Sequence, residues 1–298
     1  MNRIVLGVDR EGHYEPALRL LSRLRPESAA VDVLHVAEIP LLFSDMTVPS
    51  AMELMADAMK EEQQCGHQLC EAAAERLSRA GLAARVPPVT GGYPSAEIMA
   101  YADRTEARLI AVGATRKGVL RTLFLGSVGR ALVIGAHQSI LIGKGAVAET
   151  GPLRAVFATD HSAYAERSLQ ELLALAPKGI SHLTVATCYP KDFLPAIRPF
   201  LPEFVVDPAE WIGAYLTQRN EKVVSALAPL GCTVDARILE EAPGSGLPRI
   251  MKETGADLLI LGAQGHGFLE RLKLGSTAFH QVVSEPYSVL VLRFAPAA

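Results

Sequence analysis

The chain has a single tryptophan in 298 residues, four cysteines with no C-x-x-C pair, and no apolar run approaching the roughly 18 residues that cross a bilayer. Without paired spacings the disulfide and zinc readings are weak, and Cys65, Cys70, Cys188 and Cys232 read as reduced, partly buried small hydrophobes. The eight histidines show no H-E-x-x-H or comparable spacing, so no dedicated metal site is expected. Charge of one sign is also lacking: 29 Lys and Arg face 32 Asp and Glu, a net charge of −3, which provides no broad basic face for nucleic acid. The sequence enters the strand-like run Ile4 to Val8 with no apolar signal-peptide core before it, and we expect a cytoplasmic protein with no membrane partner. Neither the P-loop pattern G-x-x-x-x-G-K-[ST], nor H-x-G-H, nor S-G-G-x-D-S occurs, and no general base or arginine finger stands out.

What is present is a duplication. The run Leu258-Leu259-Ile260-Leu261-Gly262 answers Leu109-Ile110-Ala111-Val112-Gly113, and Gly275-Ser276 answers Gly126-Ser127, both at a separation of 149 positions. The apolar runs ending in Asp9 and Asp160, and the segments Gly92…Ile98-Met99 and Gly244…Ile250-Met251, repeat at nearly the same interval. A period near 150 residues is far longer than any solenoid repeat, so each copy should own a complete core. We expect two domains, 1–147 and 152–298, joined through the glycine-, charge- and proline-rich stretch around residues 143–152, with the copies packed together.

Within each copy short apolar runs alternate with longer amphipathic segments, the pattern of a parallel sheet covered by helices on both faces. Five strands are expected per copy: 4–8, 31–36, 84–86, 109–112 and 140–142, then 155–159, 183–187, 234–239, 258–261 and 289–292. Ser50 with Glu53, and Asp207 with Pro208 and Glu210, read as capping boxes that open the long helix after the second strand. Glu61-Glu62-Gln63-Gln64 reads as a solvated helix face. The loop from Tyr189 to Val206, with four prolines and three phenylalanines, reads as a rigid cover over apolar surface or as a lid.

The chemistry-bearing motif is Gly262-x-x-Gly265, nine residues, then Gly275-Ser276. A strand that empties into a glycine-rich loop, with a Gly-Ser pair at the mouth of the next helix, leaves backbone N–H groups free to face phosphate oxygens. Each glycine alone fits a ligand-free tight turn; the joint spacing beside a strand-end aspartate favours a phosphate site. Asp160-His161-Ser162 has the residue types of a catalytic triad, but neighbours in sequence cannot converge as one. His266, just after Gly265, is placed to approach a phosphate, but a loop histidine is more often solvated.

With these residues assembled, the chain resembles a tandem universal stress protein of the ATP-binding branch. The resemblance runs through the second-half glycine motif, the aspartates Asp9 and Asp160, the Gly92 and Gly244 segments and the closing strand Ser288 to Leu292. It implies an α/β fold of two tandem doubly wound domains, each a five-stranded parallel sheet of order 3-2-1-4-5. It implies ATP, with Mg²⁺, across the carboxyl ends of the strands: Asp160 near adenine and ribose, the Cys188 backbone at the adenine edge, Gly262 and Gly265 where a Cβ would take ligand space, and Gly275 and Ser276 at the phosphates. The matching positions of a possible second nucleotide site are Asp9, Val36, Gly113, Arg116, Gly126 and Ser127. There the second glycine of the motif is Arg116, which, if the position needs a positive φ, costs about 1–2 kcal/mol. Arg116 either blocks the phosphate site or turns outward to supply a charge-assisted bond, and the sequence leaves both open.

The resemblance further implies a homodimer and an unknown protein partner, with the last strands of the two copies meeting inside one chain. The expected function is a stress-response sensor or regulator binding nucleotide mainly in the second domain, not a rapid enzyme. Two alternatives stay open: a ligand-free protein-interaction module, and an adenine-nucleotide-dependent enzyme of the same α/β class.

Overall fold

A computed structural model describes residues 2–38, 49–116, 123–193, 195, 198–202, 205–265 and 274–294; the side chains of 49–55, 115–116, 123–124 and 200 lie outside that description, as do Lys117, Arg121 and His266. The chain divides into two compact units, Met1–Thr150 and Gly151–Ala298.

The first unit builds its sheet from β1 (Asn2–Gly7), β2 (Ala29–Leu34), β4 (Ala83–Arg85), β6 (Leu109–Gly113) and β9 (Ser139–Gly143). They lie in the order β4-β2-β1-β6-β9, and every pair is parallel. Residues of β1, β6 and β9 are buried on both faces, as continuous Ile, Leu, Val and Ala runs require of a central parallel strand. The crossovers carry α1 (Glu15–Leu24), α2 (Pro49–Arg79), α3 (Pro94–Arg104) and α4 (Ser127–Gly135).

The second unit repeats the plan with β10 (Leu153–Ala158), β11 (Ile180–Cys188), β12 (Thr233–Leu239), β13 (Leu258–Gly262) and β14 (Ser288–Leu292), in the order β12-β11-β10-β13-β14, all parallel. Its helices are α5 (Ala163–Leu175), α6 (Pro208–Leu227), α7 (Pro243–Thr254) and α8 (Ser276–Ser284). In each unit the observed order is 3-2-1-4-5. All ten expected strands are present.

The expectations fail in informative places. The predicted strand 31–36 breaks at His35: β2 ends at Leu34, and the short β3 (Val36–Glu38) pairs instead with β5 (Thr90–Gly92). Asp207 caps α6 as its spacing predicts, its carboxylate accepting from the N–H groups of Ala209 and Glu210. Ser50 does not: α2 begins at Pro49, so Ser50 lies within the first turn. Glu62 is no solvated residue either; it pairs with Arg10 and reaches His35 Nε2 at 3.2 Å. In the first unit the glycine-poor loop adds a small hairpin, β7 (Thr115–Arg116) against β8 (Leu123–Phe124). Among the described residues no helix is long and apolar enough to cross a membrane.

Candidate functional site

Parallel sheets of this order open a crevice at the carboxyl ends of the strands, on either side of the first one. In the second unit that crevice is a cleft of about 220 Å³. Asp160 follows the end of β10, Cys188 closes β11, Gly262 closes β13 and leads to Gly265, and Gly275 and Ser276 open α8; all six line it. Among the described residues Asp160 is the only charged side chain that lines it.

The helix starts differ in a way that bears on ligand binding. Ser162 caps α5, its Oγ accepting from Ala165 N at 3.1 Å, and Asp207 caps α6. At α8 the N-cap is Gly275, which offers no side chain, so its first turn has no side-chain cap among the described residues, as is also the case at α7 (N-cap Ala242) and at α4 of the first unit (N-cap Gly126). Uncapped N–H groups at the positive end of a helix are an anion site.

Asp160 is held by its own turn, with Oδ1 accepting from Ser162 N at 3.0 Å. Oδ2 turns toward Gly265, where an added Cβ would stand 2.5 Å from it. A side chain at 265 would therefore displace the Asp160 carboxylate rather than strain the backbone, since neither Gly265 nor Arg116 is in the left-handed region. The strain expected of Arg116 on that ground is absent. Gly262 also owes its identity to packing, because a Cβ there would meet Ser168 Oγ at 2.6 Å and the Tyr164 ring at 3.0 Å on α5. Burial, with a contribution from Glu241, pushes the Cys188 thiol up to about 11, so it sits in the cleft as a neutral group. Gly246 on α7 allows that helix to close over the thiol; a Cβ there would lie 2.7 Å from Sγ.

Asp160, His161 and Ser162 diverge. The Ser162 hydroxyl serves α5, while the His161 ring lies 3.2 Å from Thr187 Oγ1.

The equivalent cleft of the first unit is larger, about 410 Å³, and differs in chemistry. Asp9, Val36, Gly113, Gly126 and Ser127 line it; of Arg116 only the backbone position on β7 is described. Four carboxylates share the walls, those of Asp9, Glu11, Glu38 and Glu62, beside Arg10, His13 and His35. Asp9 is engaged on both oxygens: Oδ2 lies 2.6 Å from His13 Nδ1, and Oδ1 accepts from Tyr14 N at 3.1 Å, anchoring the chain that enters α1. Asp9, Glu11 and His13 bring ligand atoms within 4.8 Å of one another, a D-x-E-x-H spacing that zinc-type patterns pass over. The buried His35 is held between the Val8 carbonyl, 3.0 Å from Nδ1, and Glu62. Sequence reasoning missed His35, Glu62 and His13, because each contributes through a contact with no periodic signature.

Both halves match known proteins. The family model described as the universal stress protein family matches residues 1–144 and again 153–293. A universal stress protein of Synechocystis sp. is 28% identical over 153 residues, covering 46% of this chain and 94% of that protein. Another, of Methanocaldococcus jannaschii, is 25% identical over 143 residues, covering 48% of this chain and 81% of its own. Over the whole chain, a universal stress protein of Archaeoglobus fulgidus superposes with a TM-score of 0.68 at 21% identity, covering 98% of both chains, which shows the fold.

Proposed function

Because the chain belongs to the universal stress protein family in both of its halves, we propose that it is a stress-response sensor or regulator that binds ATP, chiefly in the cleft of the second unit. The observation that carries this is the convergence of Asp160, Gly265, Gly275 and Ser276 on one cleft whose facing helix, α8, starts without a side-chain cap. Its N–H groups and the Ser276 hydroxyl are suited to phosphate oxygens, and Asp160 Oδ2 to the hydroxyl or amino donors of a nucleoside. Leu247, Leu261 and Ala186 supply the apolar wall against which a base packs. With one carboxylate among its described lining residues, the cleft does not build its own octahedral magnesium site there, so Mg²⁺ would enter with the phosphates.

The first unit supports the asymmetry. Its aspartate is tied to His13, and three further carboxylates line a cleft where a triphosphate would meet like charge. Catalysis has less support: no histidine, lysine or second carboxylate lines the second cleft with Asp160 among the described residues, and turnover is expected far below the roughly 1–10³ s⁻¹ of ordinary enzymes.

ATP titration of nucleotide-free protein tests the proposal. One strong site per chain is expected, weakened by Asp160→Ala by about 1.5–3 kcal/mol, the worth of hydrogen bonds to a charged group. Two equal sites that both survive Gly265→Arg contradict it. Preserved folding with no ATP binding at all favours a protein-interaction module.

A further inference from the structure

We propose, resting on the nucleotide reading of the second cleft, that its occupancy is transmitted through His161 and Arg219 to an aromatic pair on α6, Trp211 and Tyr215. His161 directly follows Asp160 and has φ of 58°, a left-handed conformation uncommon for a residue with a β-carbon, though histidine is among the types that visit it most. Its N–H donates to Thr159 Oγ1 at 3.0 Å, and its carbonyl accepts from Arg219 Nη2 at 2.8 Å. The ring Nε2 lies 3.2 Å from Thr187 Oγ1, which is also hydrogen-bonded to the Asn220 amide at 2.8 Å. The turn carrying Asp160 is thus tied at three points, two of them leading to α6.

Arg219 is the branch point. The nitrogen that holds His161 also lies 3.3 Å from Glu166 on α5, and the guanidinium carbon is 6.0 Å from the Tyr215 ring centre. Tyr215 in turn stacks on Trp211, with centroids 5.5 Å apart and planes 3° from parallel, and Tyr215 is 43% exposed. Residues 211, 215 and 219 follow the i, i+4 spacing of one helical face. Behind the turn lies a second cleft, about 230 Å³, lined by Thr159, His161, Glu166, Arg219 and Lys222. Thr159 and Ala165 line both clefts. The turn is therefore a thin wall with space on the far side into which Arg219 can move when a ligand on Asp160 shifts the His161 carbonyl. Of the three ties, the one through Arg219 reaches both α5 and the aromatic pair, so a shift of the turn that repositions Arg219 is felt on α6.

Trp211 is the chain's only tryptophan and reports on this face directly. The experiment pairs equilibrium dialysis of ATP with Trp211 emission, in wild type, Arg219→Gln and Arg219→Lys, the last keeping charge while losing the planar fork. We expect wild-type emission to change in step with bound ATP. Both variants should lose that change while their ATP affinity moves by no more than about 5-fold, the low end of allosteric coupling. Bound ATP with silent wild-type emission, or an unaltered change in both variants, overturns the coupling. Absence of bound ATP in dialysis instead overturns the nucleotide reading, and the coupling with it.

Discussion

At the scale of single residues, two glycines in corresponding strands carry different tolerances. A Cβ on Gly113 would run into the backbone carbonyl of His13, which cannot rotate away. A Cβ on Gly262 meets the rotatable Ser168 hydroxyl and one edge of Tyr164. Gly113→Ala should therefore destabilise the first unit by about 1–3 kcal/mol or more, the usual cost of overpacking, and Gly262→Ala should cost the second unit less, as chemical denaturation of the two variants would show. His161 makes a second prediction. Burial and the nearby Arg219 lower its pKa below the ordinary value of about 6.5, against smaller opposing effects of Asn220, Asp160 and Glu166. The folded state thus binds fewer protons than the unfolded state just below that value. The stability tied to the neutral ring is present above about pH 6.5 and is lost as the pH falls through the lowered value. His161→Asn, which tolerates the left-handed conformation, should flatten that part of the pH–stability curve; an unchanged slope would remove His161 as its source.

At the scale of elements, the central strands were legible because each is a short apolar run between turn residues, and a buried parallel strand needs nothing else. The α6 start was legible for a local reason as well, since Asp207 and the N–H groups it accepts from are neighbours in sequence. Asp207→Ala should lower stability by about 1 kcal/mol in thermal or urea unfolding. The break after β2 was not legible. His35 looks like one more residue in the run Val31 to Val36, yet its ring is fixed by the Val8 carbonyl and by Glu62, 27 positions away on α2. Gly66 completes the arrangement, because any side chain there would occupy the ring's place. The start of α2 was misread for the opposite reason: Ser50 and Glu53 have cap spacing, but Pro49 already occupies the helix and pre-sets its φ.

At the scale of the whole molecule, a duplicated fold has produced two chemically different clefts. The six predicted residues of the second unit do gather at one crevice; spacing pointed to the glycines and Ser276, the strand-end position to Asp160, and only the family resemblance to Cys188, whereas the reason for each glycine was not in the sequence: Gly265 accommodates a carboxylate and Gly262 a helix. In the first unit five of the matching positions, Asp9, Val36, Gly113, Gly126 and Ser127, also gather, but the added carboxylates of Glu11, Glu38 and Glu62 come from different elements and emerge only on folding. The divergence predicts unequal occupancy. It is tested most directly by purifying the chain without added nucleotide, denaturing it, and counting the adenine nucleotide released, alongside Gly265→Arg, whose side chain must displace Asp160. About one ATP per wild-type chain and none in the variant is the predicted result; no nucleotide in either, with no ATP bound on titration, would contradict the account.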